Sequence, residues 1–122
     1  MKQPEHSVFT QLIRASRYAC QGLVDAWRSE PAFRYVSFLS AIALIVILLL
    51  PLPLWACLLL TLAHGLSLIV ELLNSAIESA VDHTSLKQHP LAKRAKDFGA
   101  AAQLVTLLFL ALLWLLLLIN YT

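Results

Sequence analysis

The stretch Glu71-Leu-Leu-Asn-Ser-Ala-Ile-Glu-Ser-Ala-Val-Asp82 decides how this chain folds, because it continues a long apolar run and yet carries three carboxylates and an amide. At about 100° per residue, the polar members of this stretch fall within an arc of roughly 80° on one face of a helix. We call this face the acidic stripe; it consists of Glu71, Asn74, Glu78 and Asp82.

The depth of the acidic stripe follows from the length of the apolar run before it. A helix needs about 20 residues, at ~1.5 Å each, to cross the hydrocarbon, so a span that starts at Pro53 ends near Leu72. Glu71 then lies at the lipid boundary, and Glu78 and Asp82 lie roughly 10 and 16 Å further out. We therefore expect one helix to carry carboxylates from the edge of the lipid into water.

The composition is typical of an integral membrane protein. Of 122 residues, 60% are hydrophobic and 13% charged, and the mean hydropathy is +0.77. Soluble proteins are considerably less apolar and carry more charge. Three apolar runs use most of the chain, which predicts a single all-α membrane domain over residues 1–122 with no nucleic-acid partner.

Periodicity and prolines predict the helix boundaries. Apolar residues at helical spacing near the N-terminus predict an amphipathic helix at about 6–28 that lies on the membrane surface, although a helix packed on protein would show the same pattern. Ser29 as a cap and Pro31 in the first turn predict where the first transmembrane helix begins. The three spans are predicted at about 32–50, 54–83 and 92–119.

The basic residues predict the orientation in the membrane. All nine Lys and Arg residues lie before Tyr35 or between Lys87 and Lys96. The positive-inside rule places both segments in the cytoplasm, so the N-terminus is predicted to be cytoplasmic and the C-terminus periplasmic. Cys20 and Cys57 would then lie near opposite membrane faces, which excludes a disulfide between them.

Two carboxylates are predicted to reach similar heights on neighbouring helices. Glu30 lies roughly 7 Å outside the start of the first span, and Glu78 roughly 9 Å outside the end of the second. Such a pair suits Mg²⁺, which accepts one or two protein carboxylates and takes its other ligands from water and phosphate. Helix capping by Glu30 and a solvated surface position for Glu78 would explain the same residues, and spacing leaves both interpretations open.

Glu71 is a functional candidate because of its depth. A carboxylate at the edge of the hydrocarbon costs several kcal/mol unless it is paired or protonated. Such an acid suits general-base work, with Asn74 one turn away to orient it or a ligand, although a structural interhelical hydrogen bond is an open alternative. Lys96 and Asp97, with the basic connector, offer polar groups at the same level, which favours a phosphate-bearing ligand or, for the cations alone, anionic lipid.

Three segments of this chain resemble the small prokaryotic diacylglycerol kinases. The acidic stripe resembles the family signature, Arg94-Ala-Lys-Asp97 is similar to its second motif, and Ala26-Trp-Arg-Ser-Glu-Pro-Ala-Phe-Arg34 is similar to a segment that supplies another functional glutamate. The resemblance implies a homotrimer with shared active sites in the bacterial cytoplasmic (inner) membrane. It also implies ATP-dependent phosphorylation of the primary hydroxyl of diacylglycerol to phosphatidic acid. Three thin spans are moreover expected not to enclose the acidic stripe, and an acid that faces lipid costs several kcal/mol, so neighbouring copies should cover the stripe.

The resemblance also implies roles for individual residues. Glu71 is implied as the general base with Asn74 in support, and Glu30 and Glu78 as ligands of Mg²⁺. Implied ATP contacts are Gln11, Tyr18, Glu30, Glu78, Lys87, Gln88, His89, Lys96 and Asp97. Implied lipid contacts are Ala15, Ser16, Arg17, Tyr18, Ala19, Cys20, Val24, Asp25, Ala26, Trp27, Ala32, Phe33, Arg34, Tyr35, Val36, Glu71, Ala100 and Trp114.

Three other interpretations remain open. Undecaprenol kinases of the same family share the metal and base residues, so the signature leaves the lipid open. A small proton-coupled transporter also has about this length, but its acid should lie near the bilayer centre, without phosphate-binding cations. A purely structural membrane subunit would leave the cost of Glu71 unexplained.

Overall fold

The computed structural model describes residues 7–84 and 89–120, and all the regular structure in these ranges is α-helical. The four helices are α1 (Val8–Ser29), α2 (Pro31–Leu49), α3 (Leu54–Thr84) and α4 (Pro90–Asn120). The predicted all-α class is confirmed. Each predicted helix end lies within two residues of the observed one.

Three of these helices are long and apolar enough to cross a membrane: α2 with 19 residues, and α3 and α4 with 31 residues each. A bilayer core needs only about 20 residues of helix. The surplus of α3 carries most of the acidic stripe, and the surplus of α4 carries the segment from Lys93 to Asp97. Because α3 leads into α4 through a short connection, these two polar helix ends lie at the same end of the bundle.

The elbow between α1 and α2 places Glu30. Glu30 is the N-cap residue of α2 but makes no capping hydrogen bond with its side chain, and Pro31 occupies the first turn as predicted. The prediction that Ser29 caps α2 is wrong. Ser29 ends α1 instead, and its hydroxyl donates to the Asp25 carbonyl at 2.6 Å, one turn back.

Arg34 closes the C-terminal end of α1. Its Nη1 donates to the carbonyls of Trp27 (2.7 Å) and Arg28 (3.1 Å), two of the last acceptors of α1. The Trp27 ring also lies 5.4 Å from the Phe38 ring on α2, centroid to centroid. These contacts hold α1 against the start of α2 and so fix the elbow that carries Glu30.

Helix α3 is the centre of the bundle and packs on both α4 and α2. An apolar core forms near the turn between α2 and α3, where Ile47, Ala56, Leu60 and Leu117 are buried. Helix α1 contacts α2 and buries only Ala26 among its described residues. Both faces of α1 are therefore exposed in a single chain, and its contact with the membrane surface stays a prediction.

Candidate functional site

The acidic stripe of α3 faces α4. Along this face Glu71 is buried, Asn74 and Glu78 are half-buried, and Asp82 is exposed at the outer end of the helix. The Lys96 Nζ on α4 lies 2.5 Å from the Asp82 carboxylate, which ties the outer ends of the two helices together. The stripe thus runs from the interior of the helix pair out to water, in the order that the helical spacing predicts.

Glu71 lies beside an amide of the neighbouring helix. Only 5% of Glu71 is exposed, and the Gln103 side chain of α4 lies next to its carboxylate. The Gln103 Nε2 also donates to the Ser67 carbonyl at 3.2 Å. The expectation that three spans cannot enclose the acidic stripe is wrong for Glu71, because α4 of the same chain covers it, whereas Glu78 is only half-buried and Asp82 is exposed.

Two buried oxygens accompany Glu71. Asn74 Oδ1 and Gln103 Oε1 are both buried and have no hydrogen-bond partner within residues 7–84 and 89–120. A buried acceptor without a donor costs about 1–3 kcal/mol. A hydroxyl or another small donor that reached this place would satisfy such oxygens, and Glu71 could take its proton.

Glycine is required at residue 99 for the packing of Asn74. Gly99 of α4 is buried, and a Cβ added there would collide with the Asn74 side-chain oxygen. A side chain at residue 99 would therefore push Asn74 aside or separate the two helices. The close approach holds Asn74 in place one turn from Glu71.

Two further carboxylates approach Glu71 from the aqueous side. Glu78 of α3 and Glu30 of the elbow both lie near enough for their charges to act on the Glu71 carboxylate. Glu30 also lines a cleft of about 520 Å³, where the C-terminal half of α1 faces Ser75, Ala76 and Ser79 of α3. Both predicted metal ligands therefore lie on the aqueous side of Glu71, within reach of its charge.

The donor set limits how a metal could be held. Among the described residues no group of three or more His, Cys, Asp or Glu side chains could hold a metal ion. Two carboxylates are nevertheless enough for Mg²⁺ when phosphate oxygens and water supply its remaining ligands. Glu30 makes no capping hydrogen bond, so its carboxylate is available for such a role. The residues fit a Mg²⁺ ion that arrives with a phosphate ligand.

The predicted phosphate-binding residues lie at the start of α4. Lys96 is paired with Asp82 and Asp97 with Lys93, the latter at 2.7 Å, and all four side chains are substantially exposed. His89 precedes α4, and its Nδ1 accepts a hydrogen bond from the Leu91 amide at 3.1 Å. Two other implied ATP contacts, Lys87 and Gln88, lie outside the described residues.

The implied lipid contacts are spread over several parts of the fold. Ala19, Asp25 and Ala26 line the cleft with Glu30, and Ala100 directly follows Gly99 on α4. Other members are exposed on α1 or the first turns of α2, except that Arg34 and Val36 are half-buried and Phe33 is buried there. The remaining implied lipid contacts lie on α1 (Ala15, Ser16, Arg17, Tyr18, Cys20 and Val24) and on α2 (Ala32, Tyr35 and Val36). The implied ATP contact Gln11 also lies on α1.

Trp114 lies apart from this group. Its Nε1 donates to His64 Nε2 at 3.0 Å, deep between α3 and α4. Eleven residues of helix separate Trp114 from Gln103, which is about 16 Å along α4. The structure therefore places Trp114 far from Glu71 along the helix and joins it to a buried histidine instead.

Sequence reasoning missed four residues of this helix pair: His64, Ser67, Gly99 and Gln103. A signal existed for Gln103, because it is an amide inside the third apolar run and polar groups in a membrane are functional candidates by default. No comparable signal existed for Gly99, whose importance depends on which face of α4 meets Asn74.

Comparisons with known proteins show to which family this chain belongs. Residues 17–118 match the family model described as prokaryotic diacylglycerol kinase. The diacylglycerol kinase of Helicobacter pylori strain 26695 is 42% identical over 111 residues, which cover 91% of this chain and 87% of that protein. The diacylglycerol kinase of Pseudomonas aeruginosa strain PAO1 is 42% identical over 85% of each chain, and that of Escherichia coli strain K12 is 38% identical over 90% of each. The chain therefore belongs to the prokaryotic diacylglycerol kinase family.

Proposed function

We propose that this protein is a lipid kinase that transfers the γ-phosphoryl group of ATP to the primary hydroxyl of diacylglycerol, forming phosphatidic acid at the cytoplasmic face of the inner membrane. The observation that carries the proposal is the buried Glu71 carboxylate with Asn74 Oδ1 one turn away, which lacks a donor in the described part of the chain. Two acceptors at the lipid boundary suit a ligand that donates a hydroxyl hydrogen. The names of the relatives agree with this substrate.

Glu71 is the general base of the proposed reaction. Its carboxylate takes the hydroxyl proton while the lipid oxygen bonds to the γ-phosphorus. The bond from the γ-phosphorus to the β,γ-bridging oxygen breaks, and ADP leaves with that oxygen. Asn74, held against Gly99, orients the reacting groups next to Glu71.

Glu30 and Glu78 are the proposed ligands of Mg²⁺. The ion would offset the negative charge of the ATP phosphates. In a single chain each of these carboxylates lies near enough to repel the Glu71 charge, and a cation bound beside them would offset that repulsion. Lys96 and Asp97 at the start of α4, with His89 and the polar side of α1, are the proposed contacts of ATP.

The depth of the residues in the membrane supports a lipid-binding role for the Glu71 end of the site and an ATP-binding role for its outer end. Glu71 lies where the apolar part of α3 ends, and the hydroxyl of a diacylglycerol lies at the same headgroup boundary. Glu78 and Lys96 lie further out, where ATP arrives from water. The one-sided distribution of Lys and Arg favours the cytoplasm for this side.

We further propose that the active form is a homotrimer with shared sites. α4 buries only Gly99, Gln103, Leu110 and Leu117 within one chain, so most of its apolar surface is available to lipid or to another copy. The cleft beside Glu30, between α1 and α3, is likewise open in a single chain. A neighbouring chain could close it, and in the proposed shared site Glu71 and Glu78 of one chain work with Glu30 of an adjacent chain.

The experiment that tests the proposed function uses purified protein in mixed micelles with γ-labelled ATP and Mg²⁺. Parallel reactions contain either diacylglycerol or undecaprenol. We expect labelled phosphatidic acid as the main product. If only undecaprenyl phosphate is labelled, the substrate is undecaprenol and not diacylglycerol. If neither lipid is labelled, the proposed kinase activity is refuted.

A further inference from the structure

Gln103 is a costly residue for its position. It is 7% exposed, and it is one of four buried residues on α4. Burying an amide away from water is unfavourable, whereas Leu or Met would fill a similar volume without that cost. Stability alone therefore gives no reason for an amide here.

The partner of Gln103 Nε2 also fails to explain the amide. The Ser67 carbonyl that accepts its hydrogen bond lies inside α3, where helix geometry already provides this carbonyl with the backbone N–H of residue 71. The contact with Ser67 fixes the amide in one orientation. It leaves the second hydrogen of Nε2 and the unpartnered Oε1 to interact with other groups.

The Glu71 carboxylate is the group that can explain why residue 103 is an amide. Ser67 and Glu71 are one helical turn apart, so their positions on α3 lie one above the other, facing α4. An amide anchored on the Ser67 carbonyl spans this turn and reaches the carboxylate from the neighbouring helix. Rotation of the Glu71 side chain away from α4 would break this contact.

We propose that Gln103 is a positioning residue, whose anchored amide holds the Glu71 carboxylate in the orientation in which it accepts the hydroxyl proton. This inference rests on the proposed function, since it assigns Gln103 a role through the general base. Gln103 touches neither ATP nor the metal ligands in this scheme. Its loss should therefore slow the chemical step and leave substrate affinity in place.

The test compares wild type with Gln103→Met, which keeps the length of the side chain and removes the amide. Gln103→Asn is the second variant, because it keeps the amide and shortens its reach. Thr106→Val is the matched control on α4, since among the described residues the Thr106 hydroxyl bonds only to the Ala102 carbonyl of its own helix. Both kcat and the KM values for ATP and lipid are measured in the same micelles.

We expect kcat to fall about 10- to 100-fold in both Gln103 variants, with each KM within about twofold of wild type, and Thr106→Val to match wild type. A second readout is the infrared carboxyl band of Glu71, identified by its absence in Glu71→Gln. That band should shift in Gln103→Met, because the polar amide next to the carboxylate is lost.

Three results would overturn the inference. One is a wild-type kcat in Gln103→Met, and another is an unshifted Glu71 band. The third is a parallel loss of kcat, lipid affinity and thermal stability in both variants, which would indicate packing alone. If the wild-type chain phosphorylates no lipid, the proposed function fails, and the catalytic half of this inference fails with it, whatever the band shows.

Discussion

Asn74 of α3 packs directly on Gly99 of α4, and its side-chain oxygen occupies the space that a methyl group at residue 99 would need. This contact joins the helix that carries the carboxylates to the helix that carries the cations. It also places an amide one turn from Glu71 without giving its oxygen a donor among the described residues.

Gly99→Ala should reduce kinase activity about tenfold or more, because the new methyl group displaces Asn74 or separates α3 from α4 at the level of the site. The measurement is kcat in mixed micelles with diacylglycerol. Gly65→Ala is the matched control, because a Cβ at residue 65 meets no atom within 4 Å, and it should keep activity within about twofold. Equal activity of the two variants would show that the close approach at Gly99 is unimportant for catalysis.

The metal role of Glu30 and Glu78 predicts an altered Mg²⁺ requirement. Glu78→Gln and Glu30→Gln keep the side-chain shape and remove a charge, so the Mg²⁺ concentration for half-maximal activity should rise at least about tenfold, or activity should collapse. Asp82→Asn is the control, since Asp82 belongs to the same stripe but is paired with Lys96. Its Mg²⁺ curve should match wild type. An unchanged curve in both Glu variants would remove the metal role.

The predicted orientation can be tested by labelling single cysteines in a background that lacks Cys20 and Cys57, both of which are free thiols. A cysteine at position 52, in the turn between α2 and α3, should react with an impermeant reagent added from the periplasm. A cysteine at position 84, at the end of α3, should react only after the membrane is opened. The reverse pattern would place the acidic stripe on the wrong side for cytoplasmic ATP.

How far the sequence predicts this site can be judged from α3 and α4 separately. The polar residues of α3 recur at helical spacing in an otherwise apolar run, so their common face, their order and the depth of Glu71 are all predictable. The residues that contact this face are on α4. After its polar first turns α4 is apolar on nearly every side, so it shows no periodicity that would indicate which residues meet α3.

The contacts of Gln103 with Glu71 and of Gly99 with Asn74 thus depend on helix packing and not on local pattern. The same reason explains why the burial of Glu71 within one chain was not foreseen. The error at Ser29 has a different origin. A serine hydroxyl can accept from a backbone N–H of the following helix as a cap, or donate to a carbonyl of the preceding turn, and spacing does not distinguish the two.

Shared active sites predict recovery of activity from two inactive chains. Glu30→Gln and Glu71→Gln protomers should each be folded and inactive. After unfolding together and reassembly, some mixed trimers would contain one site with neither lesion, so activity should return. Each mutant reassembled alone is the control. Persistent inactivity of randomly mixed trimers would show that every protomer carries its own complete site.

The central claim is that Glu71 takes the proton of the lipid hydroxyl, and the most direct measurement is the kcat of Glu71→Gln with γ-labelled ATP and diacylglycerol. Glutamine keeps the shape of the side chain and can pack beside Gln103 as glutamate does, so the fold and ATP binding should persist. Loss of a general base should lower kcat about 10²- to 10⁴-fold. A Glu71→Gln protein that forms phosphatidic acid within about tenfold of the wild-type rate would contradict the claim.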